Sequence, residues 1–243
     1  MADGRFAPSP TGDLHLGNLR TALLAWLFAR SSGGRHLLRF EDLDPTAVRP
    51  EHYRSQLRDL TALGLDWDEP PLRQRDRIES HRDAIADLRR AGLTYPCWCS
   101  RREIREAALA PHGAPGTYPG TCLGLTRSQQ AERSSSGRKG ALRLRAESVE
   151  VTITDRLRGE LTGRVDDFVL QRGDGTPAYN LVVVVDDHHQ GVDEVVRADD
   201  LLPSTPRHAH LHDLLGLPRP AWAHVPLVVA RDGVRLAKRD GAV

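Results

Sequence analysis

All three cysteines of the chain, Cys97, Cys99 and Cys122, lie within a stretch of 26 residues. Cys-X-Cys spacing is too tight for an unstrained disulfide, and a reducing cytoplasm disfavours disulfides in general. Thiolates are preferred ligands of Zn²⁺, so the cluster indicates a zinc site. Three thiolates leave a tetrahedral ion one ligand short, and the imidazole of His112 is a candidate for the fourth position. The alternative is that the cysteines are inert and pack in a small core.

A second candidate site is the sequence His15-Leu16-Gly17-Asn18, which stands at the predicted start of a helix. A helix N-terminus offers unpaired N–H groups and a positive dipole end to a phosphate. Gly17 would let a nucleotide approach the backbone without a Cβ in the way, and His15 could hydrogen-bond the phosphates. The tetrad alone equally allows an exposed histidine that only caps the helix.

The elements around this tetrad predict a βαβ unit. Residues 4–8 form a short strand that ends in the turn-forming sequence Pro-Ser-Pro-Thr-Gly, and residues 35–40 form a second strand. A helix between them is expected to end at Gly33-Gly34. Its apolar residues recur at three- and four-residue spacing: Leu16, Leu19, Leu23 and Leu27. Such a unit places its functional groups at the carboxyl ends of the strands.

The apolar, β-branched run at residues 179–187 predicts a buried parallel strand in the second half of the same sheet. Between the halves, residues 128–140 are polar and predict a flexible excursion, while residues 149–155 and 166–172 predict antiparallel strands. We therefore expect an α/β, Rossmann-like, doubly wound fold split by an insertion. The predicted division is 1–92, 93–175 and 176–243.

Composition restricts the class of protein without selecting a function. A chain of 243 residues with 39% hydrophobic residues can bury one sizeable core, and we expect a monomer. The net charge of +1 neither requires nor excludes a nucleic-acid partner. The N-terminus lacks the basic and apolar regions of a signal peptide, and no apolar window has the length of a membrane span, so a cytoplasmic location is expected.

Two longer segments carry a family resemblance. RFAPSPTGDLHLGNLRTAL at residues 5–23 and RFEDLDPTAVRPE at residues 39–51 resemble the glutamate- and glutamine-specific class I aminoacyl-tRNA synthetases. The His-Ile-Gly-His signature of that class keeps its first histidine and its glycine here. The Lys-Met-Ser-Lys-Ser signature is matched by RLAKR at residues 235–239, where Lys238 takes the place of the second lysine. Only Lys139 and Lys238 of the 34 basic residues are lysines, which makes that position notable.

The resemblance implies ATP, with Mg²⁺, and L-glutamate as substrates and a tRNA as acceptor. It implies that ATP is bound by His15, Gly17, Asn18 and Lys238, with His15, Gly17 and Lys238 acting in catalysis. It also implies a glutamate pocket formed by Arg5, Ala7, Ser9, Glu41, Tyr179 and Arg197. Either Arg5 or Arg197 could bind the γ-carboxylate in a bidentate manner, and such a site rejects glutamine because a neutral amide leaves donors unpaired.

The end of the cysteine cluster, Tyr118-Pro-Gly-Thr-Cys122, is similar to the zinc pattern of a truncated branch of this family that modifies queuosine. That similarity implies a metal site of Cys97, Cys99, Tyr118 and Cys122, with His112 still open as the fourth ligand. The sequence stops four residues after Arg239, where discriminating synthetases continue into an anticodon-binding region. We therefore expect the acceptor to be queuosine in the anticodon loop of tRNA(Asp).

Three alternatives remain at this point. The chain could be a catalytic fragment of a synthetase for tRNA(Glu), or an adenylating enzyme of the same superfamily with a small-molecule acceptor. It could also be a non-catalytic amino-acid- or RNA-binding module, because Ala237 stands where the Lys-Met-Ser-Lys-Ser signature has serine.

Overall fold

The computed structural model describes residues 1–108 and 118–229. The helices are α1 (Leu16–Ser31), α2 (Pro50–Ala62), α3 (Ile78–Arg90), α4 (Arg101–Ala108), α5 (Arg127–Ser135), α6 (Tyr179–His189) and α7 (Thr205–Leu214). The strands are β1 (Gly4–Phe6), β2 (His36–Phe40), β3 (Leu72–Arg73), β4 (Thr94–Cys97), β5 (Ala141–Leu144), β6 (Glu150–Asp155), β7 (Gly159–Arg164), β8 (Val169–Gln171), β9 (Glu194–Ala198) and β10 (Ala221–Val225). Within these ranges, no helix has both the length and the apolar character that a membrane crossing requires.

The strands of the described ranges form two sheets, and the larger one has seven strands in the order β3-β2-β1-β9-β10-β6-β7. Its strands are parallel except β7, which is antiparallel to β6. Strands β1 and β2 are joined through α1, which confirms the predicted βαβ unit. Because β2 lies on one side of β1 and β9 on the other, the strand order reverses beside β1. In open α/β sheets, ligands bind in the crevice at such a switch point.

Helix α1 is present as predicted and ends just before Gly33, but its buried face is not the leucine stripe. The buried residues are Ala22, Ala25 and Ala29, whereas Leu16, Leu23 and Leu27 are 40–53% exposed. Small side chains let the helix lie close to the sheet, where a Cβ on Gly4 would come within 3.3 Å of the Ala29 Cβ. Close packing against β1 therefore selected alanine, not leucine, for the inner face.

The prediction of a strand at residues 179–187 is wrong: the segment is helix α6. A fully buried helix and a fully buried strand have the same continuous apolar composition, so periodicity alone does not separate them. In the helix, the consecutive residues Asp186 and Asp187 point to different partners. The parallel strand expected in this half of the sheet is formed instead by β9.

The predicted strands at 149–155 and 166–172 are confirmed, as β6 paired antiparallel with β7 and β8 paired antiparallel with β5. Strands β4, β5 and β8 form a separate small sheet, but β6 also pairs with β10 in the larger sheet. The division into 1–92, 93–175 and 176–243 stays a prediction, and this pairing connects residues 150–164 to the larger sheet. The polar segment expected to be an excursion contains α5, whose N-cap Thr126 forms a capping box with Gln129.

A buried ion network joins α6 to the first two strands. The Asp187 carboxylate accepts hydrogen bonds from Arg5 Nε at 3.0 Å and from Arg39 Nη1 at 2.7 Å, and all three side chains are buried. Burial alone would raise the pKa of Asp187, but the Arg39 and Arg5 guanidinium groups outweigh it and hold the pKa well below its usual range. The carboxylate is therefore ionised and neutralises cations from two strands.

We predict that Asp187→Asn lowers the free energy of unfolding by about 3–5 kcal/mol, because it removes the carboxylate that accepts from both buried guanidinium groups and leaves Arg39 with the Glu41 carboxylate 3.9 Å away. Urea denaturation measures the effect. Asp213→Asn is the matched control, since Asp213 pairs with Arg219 in an exposed position and its loss should cost less than about 1 kcal/mol. Equal effects of the two substitutions would contradict the structural importance of the buried network.

Candidate active site

A cavity of about 370 Å³ opens at the switch point, beside the N-terminus of α1. Its walls come from the ends of β1 and β9, the turn before α1 and the start of α6. The structure brings together in it all six residues predicted to bind glutamate, and two predicted to bind ATP. These are Arg5, Ala7, Ser9, Glu41, Tyr179 and Arg197, with His15 and Asn18. Gly17 lines a smaller adjoining recess that His15 and Asn18 share.

His15 is the N-cap of α1. Its Nδ1 accepts hydrogen bonds from the backbone N–H groups of Gly17 at 3.0 Å and Asn18 at 3.4 Å, and the Asn18 side chain accepts from the His15 N–H. A Cβ on Gly17 would lie 2.9 Å from Cε1 of the imidazole, so glycine is required for this ring position. With Nδ1 as acceptor, a neutral imidazole carries its proton on Nε2. Capping the helix and presenting a donor to a phosphate are therefore compatible roles.

The two arginines of the cavity have different electrostatic surroundings. Arg5 is neutralised by Asp187 in the ion network described above. Arg197 is equally buried, but the acceptors that the described residues offer it are all neutral. Burial lowers the pKa of the Arg197 guanidinium, which nevertheless stays charged at physiological pH. Arg197 is therefore the cation of this cavity that most needs an anionic ligand.

Glu41 faces the same cavity from the end of β2. Burial raises the pKa of its carboxyl group from 4.5 to about 7, although Arg39 and Arg5 act in the opposite direction. A carboxylate that is costly to ionise in the ligand-free site becomes favourable when a cation binds beside it. Glu41 thus has the position and the electrostatics to receive the ammonium group of an amino acid.

A wider groove of about 680 Å³ continues from this cavity and shares Ser9, Glu41 and Tyr179 with it. The groove runs past the β8–α6 connection toward the cysteine cluster, where Cys99 and Arg143 contribute to its wall. Three arginines line it: Arg101, Arg143 and Arg172. The cavity and the groove together could hold a small amino acid and part of a much larger molecule in contact with it.

The cysteine cluster is assembled as predicted. The Sγ atoms of Cys97, Cys99 and Cys122 all lie within 4.8 Å of one another, and the Tyr118 hydroxyl is 3.3 Å from Cys97 Sγ and 3.6 Å from Cys99 Sγ. Tetrahedral zinc with bonds of about 2.3 Å separates its ligands by about 3.8 Å, so these four groups fit the ion. The Arg143 guanidinium stacks 3.6 Å from the centre of the Tyr118 ring and adds positive charge beside it.

Two predicted residues lie outside the described part of the chain. They are His112, the competing metal ligand, and Lys238 in the segment 235–239. Sequence reasoning also missed residues that hold the site: Asp187, Arg39, His208 and His224. A signal for the first was present, because two adjacent carboxylates that directly follow a buried apolar run require partners if they are buried with it.

A family model for tRNA synthetases class I (E and Q), catalytic domain, matches residues 2–243. The chain therefore belongs to the class I tRNA synthetases of the glutamate and glutamine group, which confirms the resemblance drawn from residues 5–23 and 39–51. A more particular similarity is to the glutamyl-Q tRNA(Asp) synthetase of Nocardia farcinica, 65% identical over 99% of this chain and 76% of that protein. The protein of the same name from Cutibacterium acnes is 55% identical over 99% of this chain and 69% of its own length.

Among solved structures, the chain is similar to a glutamate tRNA ligase from Elizabethkingia meningosepticum in complex with its amino acid. The TM-score is 0.85 and the sequence identity 29%, over 99% of this chain. The chain spans 52% of the length of that ligase. The described fold is thus the catalytic-domain fold of the family.

We predict that Glu41→Gln raises the free energy of unfolding at about pH 8 by about 1–3 kcal/mol, since it removes a carboxylate that is costly to ionise in the folded protein. Between 4.5 and about 7, the pKa values of the unfolded and folded states, the folded state binds more protons. Stability should therefore fall as the pH rises through this window, and the advantage of the variant should nearly vanish at about pH 5.

Urea denaturation of the ligand-free protein at the two pH values measures this effect. Glu79→Gln is the control, because Glu79 is exposed and its substitution should change stability little at either pH. A Glu41→Gln variant that is no more stable than the wild type at the higher pH would contradict the inferred burial cost.

Proposed function

We propose that the protein activates L-glutamate with ATP to give glutamyl-adenylate and pyrophosphate, and then transfers the glutamyl group to queuosine in the anticodon loop of tRNA(Asp). The observation that carries this proposal is the cavity beside α1, where Arg197 and Glu41 offer opposite charges to one small ligand. The names of the two relatives above support the choice of acceptor.

The charge balance at the floor of the cavity supports glutamate as the ligand. Within the set of Arg5, Arg39, Arg197, Asp187 and an ionised Glu41 there are three positive and two negative charges, so the set has a net charge of +1, whereas Asp13 and Asp200 on the cavity wall lie outside this set. Glutamate carries two carboxylates and one ammonium group, so its net charge is −1. Glutamine is neutral overall and would leave the excess charge of Arg197 unmatched.

In the first step, a carboxylate oxygen of glutamate attacks the α-phosphorus of ATP, and the bond to the bridging oxygen breaks to release pyrophosphate. We assign His15, Gly17 and Asn18 to the phosphates, since the N-terminus of α1 aims N–H groups and a positive dipole end at the cavity. Lys238 is proposed to act on the same phosphates, with Mg²⁺ accompanying ATP. Arg197 and Glu41 hold the amino acid in line.

In the second step, a hydroxyl of the queuosine cyclopentenediol attacks the activated carbonyl carbon, AMP leaves with the electrons of the broken bond, and the hydroxyl proton passes to the leaving phosphate or to solvent. We assign the acceptor to the wide groove, because it shares Ser9, Glu41 and Tyr179 with the glutamate cavity. Arg101 on its wall suits a phosphate of a single-stranded loop. Arg172, by contrast, is paired with Asp44 and Asp174 and would have to exchange them for a phosphate. Sequence-specific RNA recognition generally uses such loops, whose bases can be unstacked.

The acceptor assignment predicts that queuosine-bearing tRNA(Asp) is glutamylated, whereas the same tRNA with guanosine at the wobble position is not. Incorporation of radiolabelled glutamate into purified tRNAs measures this. Glutamate-dependent exchange of pyrophosphate into ATP should proceed without any tRNA. Efficient charging of tRNA(Glu) at its 3′ end would contradict the assignment and favour a catalytic fragment of a tRNA(Glu) synthetase. No exchange with glutamate would favour a non-catalytic module.

We also propose that Cys97, Cys99, Tyr118 and Cys122 hold one structural Zn²⁺, which would stabilise the junction between β4 and the segment that follows residue 117. Burial would raise the pKa of the Cys97 thiol, but hydrogen bonds with Tyr118 and Arg143 outweigh it and lower the pKa. Burial raises the pKa of the Cys99 thiol to about 11 and raises that of the Tyr118 hydroxyl, so zinc binding would have to displace protons from the cluster. A phenolate from Tyr118 beside the Arg143 guanidinium would complete the tetrahedral set.

This predicts about one zinc per chain by elemental analysis, and loss of the metal together with reduced stability in Cys122→Ser, because a structural zinc contributes folding free energy directly. Tyr118→Phe should weaken zinc retention less than Cys122→Ser does. Tyr95→Phe is the control, since Tyr95 is a buried neighbour whose hydroxyl donates to Asp167 and not to the cluster. A metal-free wild type with full activity would overturn the proposal, and unchanged zinc in Tyr118→Phe would favour His112.

A further inference from the structure

Arg197 is held by an unusual set of hydrogen-bond acceptors for a buried guanidinium. Its Nε lies 2.9 Å from His224 Nε2, and its Nη1 lies 3.2 Å from His208 Nδ1. Its Nη2 donates to the Thr205 hydroxyl at 2.9 Å and, at 3.3 Å, to the Ser204 hydroxyl and the Leu201 carbonyl. Buried arginines are ordinarily paired with carboxylates, as Arg5 is here.

The protonation of His224 follows from its partners. A guanidinium can only donate, so His224 Nε2 must accept and the ring proton must be on Nδ1. Nδ1 lies 2.6 Å from the buried Asp155 carboxylate, which accepts that proton in a hydrogen bond. Residues 197 and 224 are also register partners of β9 and β10, so the sheet itself sets the distance between them.

The same logic applies to His208. Its Nδ1 accepts from Arg197, so Nε2 carries the proton and donates to Asn180 Oδ1 at 3.0 Å. Burial and the nearby Arg197 charge both lower the pKa values of His208 and His224, so the rings are neutral. Among the described residues, Nη1 has one acceptor, His208, for its two hydrogens.

We propose that His224, His208, Asp155 and Asn180 are positioning residues that fix Arg197 without neutralising it, so that its charge stays available to a carboxylate of the substrate. Asp155 and Asn180 act through the histidines. Asp155 fixes the tautomer of His224, and Asn180 fixes the tautomer of His208, so that each ring accepts from Arg197. This inference rests on the proposed function and specifies how the same cavity selects an anionic amino acid. Arg5 serves as the internal contrast, because its carboxylate partner Asp187 belongs to the protein.

The test places a carboxylate where the structure has a neutral acceptor. His208→Glu would pair with Arg197 internally, and His208→Gln is its neutral reference of nearly the same shape. In the pyrophosphate exchange assay, we expect the glutamate KM of His208→Glu to exceed that of His208→Gln by about tenfold or more, the usual value of one charge-assisted hydrogen bond. The KM for ATP should agree between the two variants within about twofold.

A second pair of variants tests the same inference if His208→Glu fails to fold. Ser204 is half-buried at the start of α7 and accepts from Arg197 Nη2, so Ser204→Asp against Ser204→Asn repeats the comparison at a more exposed position. Equal glutamate KM values within both pairs, or parallel increases in the KM for glutamate and for ATP, would overturn the inference. Absence of glutamate-dependent exchange in the wild type would instead refute the proposed function, so the two failures are distinguishable.

Discussion

The structure of the site depends on one buried carboxylate, Asp187, that lies between the guanidinium groups of Arg5 and Arg39. Arg5 comes from the first strand, Arg39 from the second, and Asp187 from α6. Leaving any of these charges unpaired in the interior would cost several kcal/mol, so the three elements are held in one arrangement. Glu41 follows Arg39 along the chain and Tyr179 begins α6, and the ion network therefore sets where both lie.

The same interaction separates the roles of the two cavity arginines. Asp187 satisfies Arg5, whereas Arg197 is surrounded by imidazoles, hydroxyls and a carbonyl that fix its direction and leave its charge intact. Across the cavity, burial makes Glu41 costly to ionise until a cation binds. The ligand-free site thus bears the electrostatic cost of a buried cation, Arg197, and of a buried carboxylate, Glu41. A glutamate molecule, with its carboxylates and its ammonium group, relieves both costs. Costs of this kind are expected at a site built for binding and not for maximal stability.

The cysteine cluster and the small sheet contribute at a distance from the phosphates. Cys97 ends β4, while Tyr118 and Cys122 lie in the following segment, so the cluster and the apolar side chains packed against it hold these parts of the chain together. Cys99 and Arg143 of this region also line the groove that opens from the cavity. The proposed metal would therefore support the wall that an acceptor contacts, and we assign it no part in the activation of glutamate.

The sequence by itself determined the features that depend on neighbouring residues or on matched segments. The turn before α1, the cap at His15 and the clustered cysteines are local, and the family resemblance named six residues that the structure places in one cavity. Only the tertiary structure decided that residues 179–187 are a helix, that alanines and not leucines form the inner face of α1, and that β6 joins the larger sheet. It also decided which arginine is neutralised, because Asp187 is 182 residues from Arg5. Burial and pairing across such separations are set by packing in three dimensions, which no local pattern of residues encodes.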